Sequence, residues 1–288
     1  MIDWRLLFIG YLIFAVSSYL LRRQMAKKYS DRGRLVNAVF FLCILYPTGL
    51  LVAAVTRPDL DIGWLNLLFI VVGSGVFPLI TILSYKANKY VDAGQYALIG
   101  NLAPIISIVV AFALLNEQLT IAQSLGALVI LVSAFIASAT KKAGRFTLSK
   151  GVGLTLASVA LLGLATVFEK WMLGQVDYGA YLVYGWGAQA LWMLILAINE
   201  RKYLSLLKDP AFLRPTIMFG IASTFKGLLF VSTLFASNSA SLVSASLGVL
   251  PVIVVIAAYF ILKEKDHLPR RITAGILGAI GLAIIYIF

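Results

Sequence analysis

Histidine and cysteine are almost missing from this chain: one His, His267, and one Cys, Cys43, in 288 residues. A single thiol excludes an intrachain disulfide and a cysteine metal cluster. A single imidazole, set in a charged stretch, excludes a histidine zinc site and a buried serine–histidine triad. Charge is scarce as well, at 12% of residues, about half of average globular usage. That leaves too little polar surface to wrap a water-soluble domain. No phosphate loop of the G-x-x-x-x-G-K-S/T type occurs, so the chain hydrolyses no nucleotide of its own. An enzyme would need a convergent nucleophile or acid–base set. Only Glu169 and Lys226 come near that description, and no motif frames them. The expectation is no enzyme, no cofactor and no metal.

What the chain does have is apolar length. Hydrophobic residues make up 61% of it and mean hydropathy is +0.96. A membrane-crossing helix needs about 20 mostly apolar residues. Charge-free runs of about that size cover 6–21, 35–56, 62–85, 93–116, 118–140, 151–168, 178–199, 240–262 and 272–288. A further run, 213–236, holds one charge, Lys226. Run length and the lack of strict alternation favour helices over barrel strands. The reading is an all-α integral membrane protein with ten transmembrane helices. The first run ends in Arg22-Arg23 without a small-x-small cleavage site, so it reads as a retained helix and not as a signal peptide.

Loop charge sets the orientation. Arg5 and Arg57 fall on one side of the membrane, and Lys170 and Lys226 lie within spans. Every other Lys and Arg shares the opposite side. Positive loops stay cytoplasmic, so both termini are expected on the non-cytoplasmic face of the cell (inner) membrane. The net charge of +12 is then a matter of topology and anionic lipid. Nucleic acid is not an expected partner.

An internal repeat organises the runs. At an offset of 147, Ala93 meets Ala240, Pro104 meets Pro251, Ile106 meets Ile253, Ala111 meets Ala258, Leu115 meets Leu262 and Glu117 meets Glu264. The chain thus divides into two five-helix halves, 1–143 and 147–288. Five is odd, so the second half is inverted in the bilayer relative to the first, a plan many secondary transporters use.

Pro104 with 105–115, Asn116-Glu117, Gln123 and Gly126, and Pro251 with 252–262, Lys263-Glu264 and Gly275, resemble the EamA-type repeat of the drug/metabolite transporter superfamily. The resemblance spans nearly the whole chain at the level of spans and repeats, but its motif residues are few and silent on substrate. It implies transport of small metabolites, amino acids, sugars or drugs, commonly by export. In one respect the chain departs from the pattern. Many ten-helix members have cytoplasmic termini, whereas loop charge here argues the reverse.

Several residues are candidates for the site. Lys226 sits within its span, where a charge costs about 2.5–3.5 kcal/mol on insertion scales. It either binds a carboxylate or phosphate on the solute, or pairs with Glu169, or snorkels outward. Glu169 either holds a solute amine, carries a coupling proton, or pairs with Lys170 or Lys226. Asn101 lies three residues before Pro104, whose ring removes a backbone donor; its amide either meets the solute or satisfies the freed carbonyl. Pro104 and Pro251 are the expected kinks. On the seventh run Tyr184, Trp186 and Gln189 are expected to line the solute path, while Tyr178 and Tyr181 suit an aromatic lining or an interfacial belt. Gly275, Gly278 and Gly281, with Gly126 and Ser133, read as close helix packing. Glu117 and Glu264 read as structural caps.

The functional expectation is a secondary transporter of a small polar or amphipathic metabolite, amino-acid-like or another organic solute, by alternating access. Its partners would be that solute, the lipid bilayer and a coupling proton or ion, with the protein a monomer or homodimer. The alternatives are a carrier of an organic cation or amine, which aromatic rings attract but an unpaired Lys226 repels, and a non-transporting membrane scaffold or sensor.

Overall fold

A computed structural model describes residues 3–90, 96, 99–100, 102–117, 119–138, 150–237, 239–261 and 268–287. Among the described residues the chain is helical, with no strand. In chain order the helices are α1 (Trp4–Lys28), α2 (Gly33–Thr56), α3 (Gly63–Tyr90), α4 (Leu102–Leu115), α5 (Ile121–Ser138), α6 (Lys150–Leu173), α7 (Tyr178–Ala197), α8 (Pro210–Ala236), α9 (Ala240–Leu247), α10 (Leu250–Ile261) and α11 (Leu268–Ile287). A 3-10 stretch, Ile198–Lys208, continues α7.

Six of these segments are long and apolar enough to cross a membrane: α1, α2, α3, α6, α7 with its extension, and α8. The remainder are shorter apolar helices or run beside undescribed residues. Large apolar side chains such as Leu6, Ile13, Val55, Val109 and Ile121 stand more than half exposed. In water such a surface would drive aggregation; against lipid it is the expected solvent-facing side.

The expected runs fare unevenly. The run 93–116 keeps only α4 and a few residues before it among the described residues. The run 240–262 is interrupted. Leu247 ends α9, a turn passes through Gly248 and Val249, and α10 begins at Leu250. There the backbone tightens to i→i−3 bonds, Gly248 N–H to Ala245 O at 3.1 Å and Val249 N–H to Ser246 O at 3.2 Å. Pro251 lies just beyond. It has no N–H to give to residue 247, so the regular ladder cannot continue through the turn. The same Gly-x-x-Pro spacing recurs as Gly75–Pro78, where α3 breaks between Ser74 and Val76. In α2 the response is different: Val39–Leu45 winds as a π-helix just ahead of Pro47.

The chain forms two compact units. One comprises Met1–Lys89 and Phe168–Ala236; the other comprises Tyr90–Val167 and Ser237–Phe288. Each takes helices from both sequence halves. In the first, α1 packs along α8, α2 packs on α7 and α8, and α3 packs on α7. In the second, α5 packs along α11, α4 packs on α9, and α10 packs on both α5 and α11. Small residues permit the α5–α11 approach. A Cβ at Gly281 would lie 2.7 Å from Ile130 and 2.8 Å from the Gly126 carbonyl, and one at Gly278 would lie 3.0 Å from Ser133 Oγ.

Candidate functional site

The first unit gathers most of the sequence candidates. Its seam is the α1–α8 pair. Gly10 lies against Leu229, Phe14 stacks on Phe225 with centroids 5.1 Å apart, and the Ser18 and Ser223 hydroxyls share a 2.7 Å hydrogen bond. One turn further along, the Arg22 guanidinium rests 5.5 Å over the Phe219 ring. On α1 each of these residues lies four positions on from the last, the spacing of one helix face.

Lys226 projects from this part of α8. Its neighbour Gly227 opens room for Leu45 of α2 and Trp186 of α7, which lie 3.8 and 3.9 Å from where a Cβ would stand. The lysine is set deep in the unit but keeps part of its surface open. Among the described residues it makes no ion pair and no hydrogen bond. The charge that acts on it is a like one, Arg22. Of the readings open to Lys226, pairing with Glu169 is therefore not found among the described residues.

Glu169 stands instead with Tyr181. Both are buried, Glu169 with 2% of its surface exposed, and the Tyr181 hydroxyl donates to Glu169 Oε1 at 3.0 Å. Glu169 Oε2 is buried and has no partner among the described residues. Tyr181 is thus a buried, internal hydrogen-bond donor. The neighbouring Lys170 sends its ammonium to the Leu234 carbonyl at 2.8 Å, where it serves the carbonyl-rich end of α8.

The other α7 candidates divide. Trp186 is buried against the α2 backbone; a Cβ on Gly49 would come within 2.9 Å of its ring. Gln189 is buried at 4% exposure. The Tyr184 hydroxyl donates to the Leu60 carbonyl at 3.0 Å and ties α7 to the α2–α3 loop. Pro104 is buried near the start of α4. Asn101 lies outside the described residues. Pro251 has its backbone described and its side chain not.

Sequence reasoning passed over two contributors. Trp192 donates its indole N–H to the Val71 carbonyl at 2.7 Å. At the α3 break Gly75 N–H turns to Val72, so the carbonyl of Val71 loses its helical donor and the indole replaces it. The Gly75–Pro78 spacing was the available signal. By loop charge alone, Arg22 reads as one more cytoplasmic loop cation. The signal there was that α1 runs on to Lys28, which leaves Arg22 inside the helix.

Outside this unit, Glu117 does work that its place in the sequence conceals. It does not cap α5, which follows it. That helix has its own reciprocal cap, Thr120 N–H to Gln123 Oε1 and Gln123 N–H to Thr120 Oγ1, both 3.1 Å. Glu117 instead closes the N-terminus of α9, accepting from Ala240 N–H, Ser241 N–H and Ser239 Oγ, each at 2.8 Å. Burial works against its charge, but the donors from Ser241, Ala240 and Ser239 outweigh it and hold its carboxyl below its ordinary pKa. Among the described residues no group of His, Cys, Asp and Glu could hold a metal ion.

A family model described as the EamA-like transporter family matches residues 4–139 and again 149–287. No curated protein matches the chain. Solved structures do, 28 chains in all. One of them, titled only as the crystal structure of a protein, aligns at a TM-score of 0.69 over 96% of this chain and 94% of its own length, with 16% identity. At that identity the likeness speaks for the fold alone.

Proposed function

From the premise that the chain belongs to the EamA-like transporter family, we propose that it is a secondary transporter of a small polar or amphipathic organic solute bearing an anionic or zwitterionic group, such as an amino acid. In this reading ten spans form two inverted five-helix repeats, 1–143 and 147–288, with both termini on the non-cytoplasmic side of the cell membrane. The repeats exchange conformations to give alternating access, with export as the direction of net movement. Lys226 holds the solute's anionic group. Gln189, Trp186 and Tyr184 border its path, and Asn101 contributes an amide on the strength of the sequence alone. The breaks at Pro104 and Pro251 absorb the motion.

One observation carries this reading: Lys226 lies well inside an apolar helix without a counter-charge among the described residues. A cation set among apolar residues is stabilised by pairing, and in this reading the solute supplies the partner. Among the family's substrates an organic cation suits this arrangement poorly, since Lys226 and Arg22 both repel it.

The test is counterflow in proteoliposomes across a panel of labelled amino acids, amines and phosphorylated metabolites. The expected result is uptake of at least one anionic or zwitterionic solute by the wild type and its loss in Lys226→Met at unchanged thermal stability. Full transport by Lys226→Met overturns the role of the lysine. A wild type that exchanges no solute overturns the transporter reading.

A further inference from the structure

Glu169 is the buried titratable group that solute recognition leaves unused. It stands near the C-terminal end of α6, 2% exposed, with one donor, Tyr181, on Oε1 and none on Oε2 among the described residues. A carboxylate in an apolar interior is sustained by two or three donors or by a cation. Glu169 has neither. A carboxylic acid fits the same place: Oε1 accepts from Tyr181, and Oε2 bears the proton.

Among the described residues the surroundings supply no alternative counter-charge. On α6 itself, Lys170 is turned to the Leu234 carbonyl. On α7, Tyr181 is the donor already named and Tyr178 shares a hydrogen bond with Ser232 of α8. The neighbouring half of α3, Gly63–Ser74, carries no titratable residue. On the loop that meets the start of α7, Arg57, Asp59 and Asp61 are exposed, as is Asp177, so they lie at the rim and not beside the carboxyl.

We infer that Glu169 is the proton-carrying group of this transporter, loaded at Oε2 whenever the first unit is closed around it. This rests on the transporter reading above. The cycle has a simple balance. When water reaches Oε2, the O–H bond breaks, the proton passes to water and then to buffer, and the electron pair stays on the carboxylate, still held by Tyr181. Re-closure without a new proton would strand a carboxylate with one donor, so it is disfavoured. Closure and proton binding are thus tied together, and a pH gradient drives the conformational cycle.

Two measurements test this. The first needs no solute. Infrared spectra of the reconstituted full chain, titrated with pH, should show a protonated-carboxyl C=O band that is absent in Glu169→Gln and shifted in frequency, but still present, in Tyr181→Phe. The second uses whichever member of the counterflow panel the wild type carries. Glu169→Gln keeps an acceptor for Tyr181 and mimics the loaded acid. It should therefore retain solute counterflow and lose accumulation driven by a pH gradient. A purely structural carboxyl would survive the isosteric change on both counts. Wild-type accumulation by Glu169→Gln, or a wild-type spectrum with no band that the substitution removes, overturns the inference. If no panel solute is carried but the band is present, the transporter reading falls and the site of the proton stands.

Discussion

A single tryptophan shows how residue chemistry enforces this architecture. Pro78 and Gly75 break α3, and the break orphans the Val71 carbonyl, which Trp192 then satisfies at 2.7 Å. Trp192→Phe keeps an aromatic ring, though a smaller one, and removes the donor. In a membrane bundle such a bond is worth about 0.6–2 kcal/mol. The expected outcome is a lower melting temperature in detergent with no change of fold. A Gly75→Ala variant, whose Cβ would meet the indole at 3.1–3.2 Å, should lower it as well, and the two should not add, because both act on one contact. Additive losses would separate the indole from the break. At this scale the sequence is readable where chemistry is rare: one lysine inside an apolar run, one glutamate at the end of another, and prolines in helices. It was not readable where the partner is distant. Nothing near Glu169 in the chain points to Tyr181, and nothing near Tyr184 points to the Leu60 carbonyl, because both partners are chosen by packing between helices.

At the scale of elements, Glu117 links an end of α4 to the start of α9, far away in sequence. Its three donors replace the hydrogen bonds that the first turn of α9 leaves open, and its charge complements the positive end of that helix. Because the folded pKa is depressed, the ionised carboxyl stabilises the fold above about pH 4.3, its unfolded value. That contribution is lost as pH falls through the lower folded value. Glu117→Gln keeps the shape but offers fewer acceptor sites to these donors. The expected penalty is about 1 kcal/mol at neutral pH, the usual size of a cap, held down by partial exposure. The gap between wild type and variant in thermal unfolding should close as pH drops below 4.3; a gap independent of pH would assign the effect to shape. The helices α5 and α11 yield a graded comparison. Gly281→Ala meets the Gly126 backbone, which cannot yield, so overpacking should cost about 1–3 kcal/mol. Gly275→Ala meets only the flexible tip of Ile256 at 3.2 Å and should cost less. Charge-free apolar length located these helices, and the glycine spacing anticipated their contact. The broken segments were harder to see. Runs 62–85 and 240–262 look continuous by hydropathy, which records burial against lipid and is blind to backbone register.

For the whole molecule, the physical question is how a two-fold sequence repeat is arranged across the membrane. Each compact unit draws on both halves of the chain, whereas the family model matches the chain twice in succession, over 4–139 and 149–287. The two divisions are compatible if corresponding helices of the copies join across the chain. Positions 117 and 264 then close corresponding apolar runs of the two copies. An odd number of spans per copy puts those ends on opposite faces of the membrane, and an even number puts them on the same face. Gln118 and Lys265, also 147 apart, sit just beyond these ends and supply the test. In a Cys43→Ala background, which removes the exposed native thiol, Gln118→Cys should react with a membrane-impermeant maleimide in intact cells. Lys265→Cys should react only after permeabilisation. Ser205→Cys, in the basic stretch after α7, should behave like Lys265→Cys, because cations concentrate on the cytoplasmic side. Labelling of 118 and 265 from the same side would remove the inversion, and with it the geometric basis for exposing one solute site to each face in turn. Reversal of all three would keep the inversion and place the termini in the cytoplasm. In that case the basic loops would be facing outward, against the charge rule, and specific packing within each unit, not loop charge, would have set the orientation.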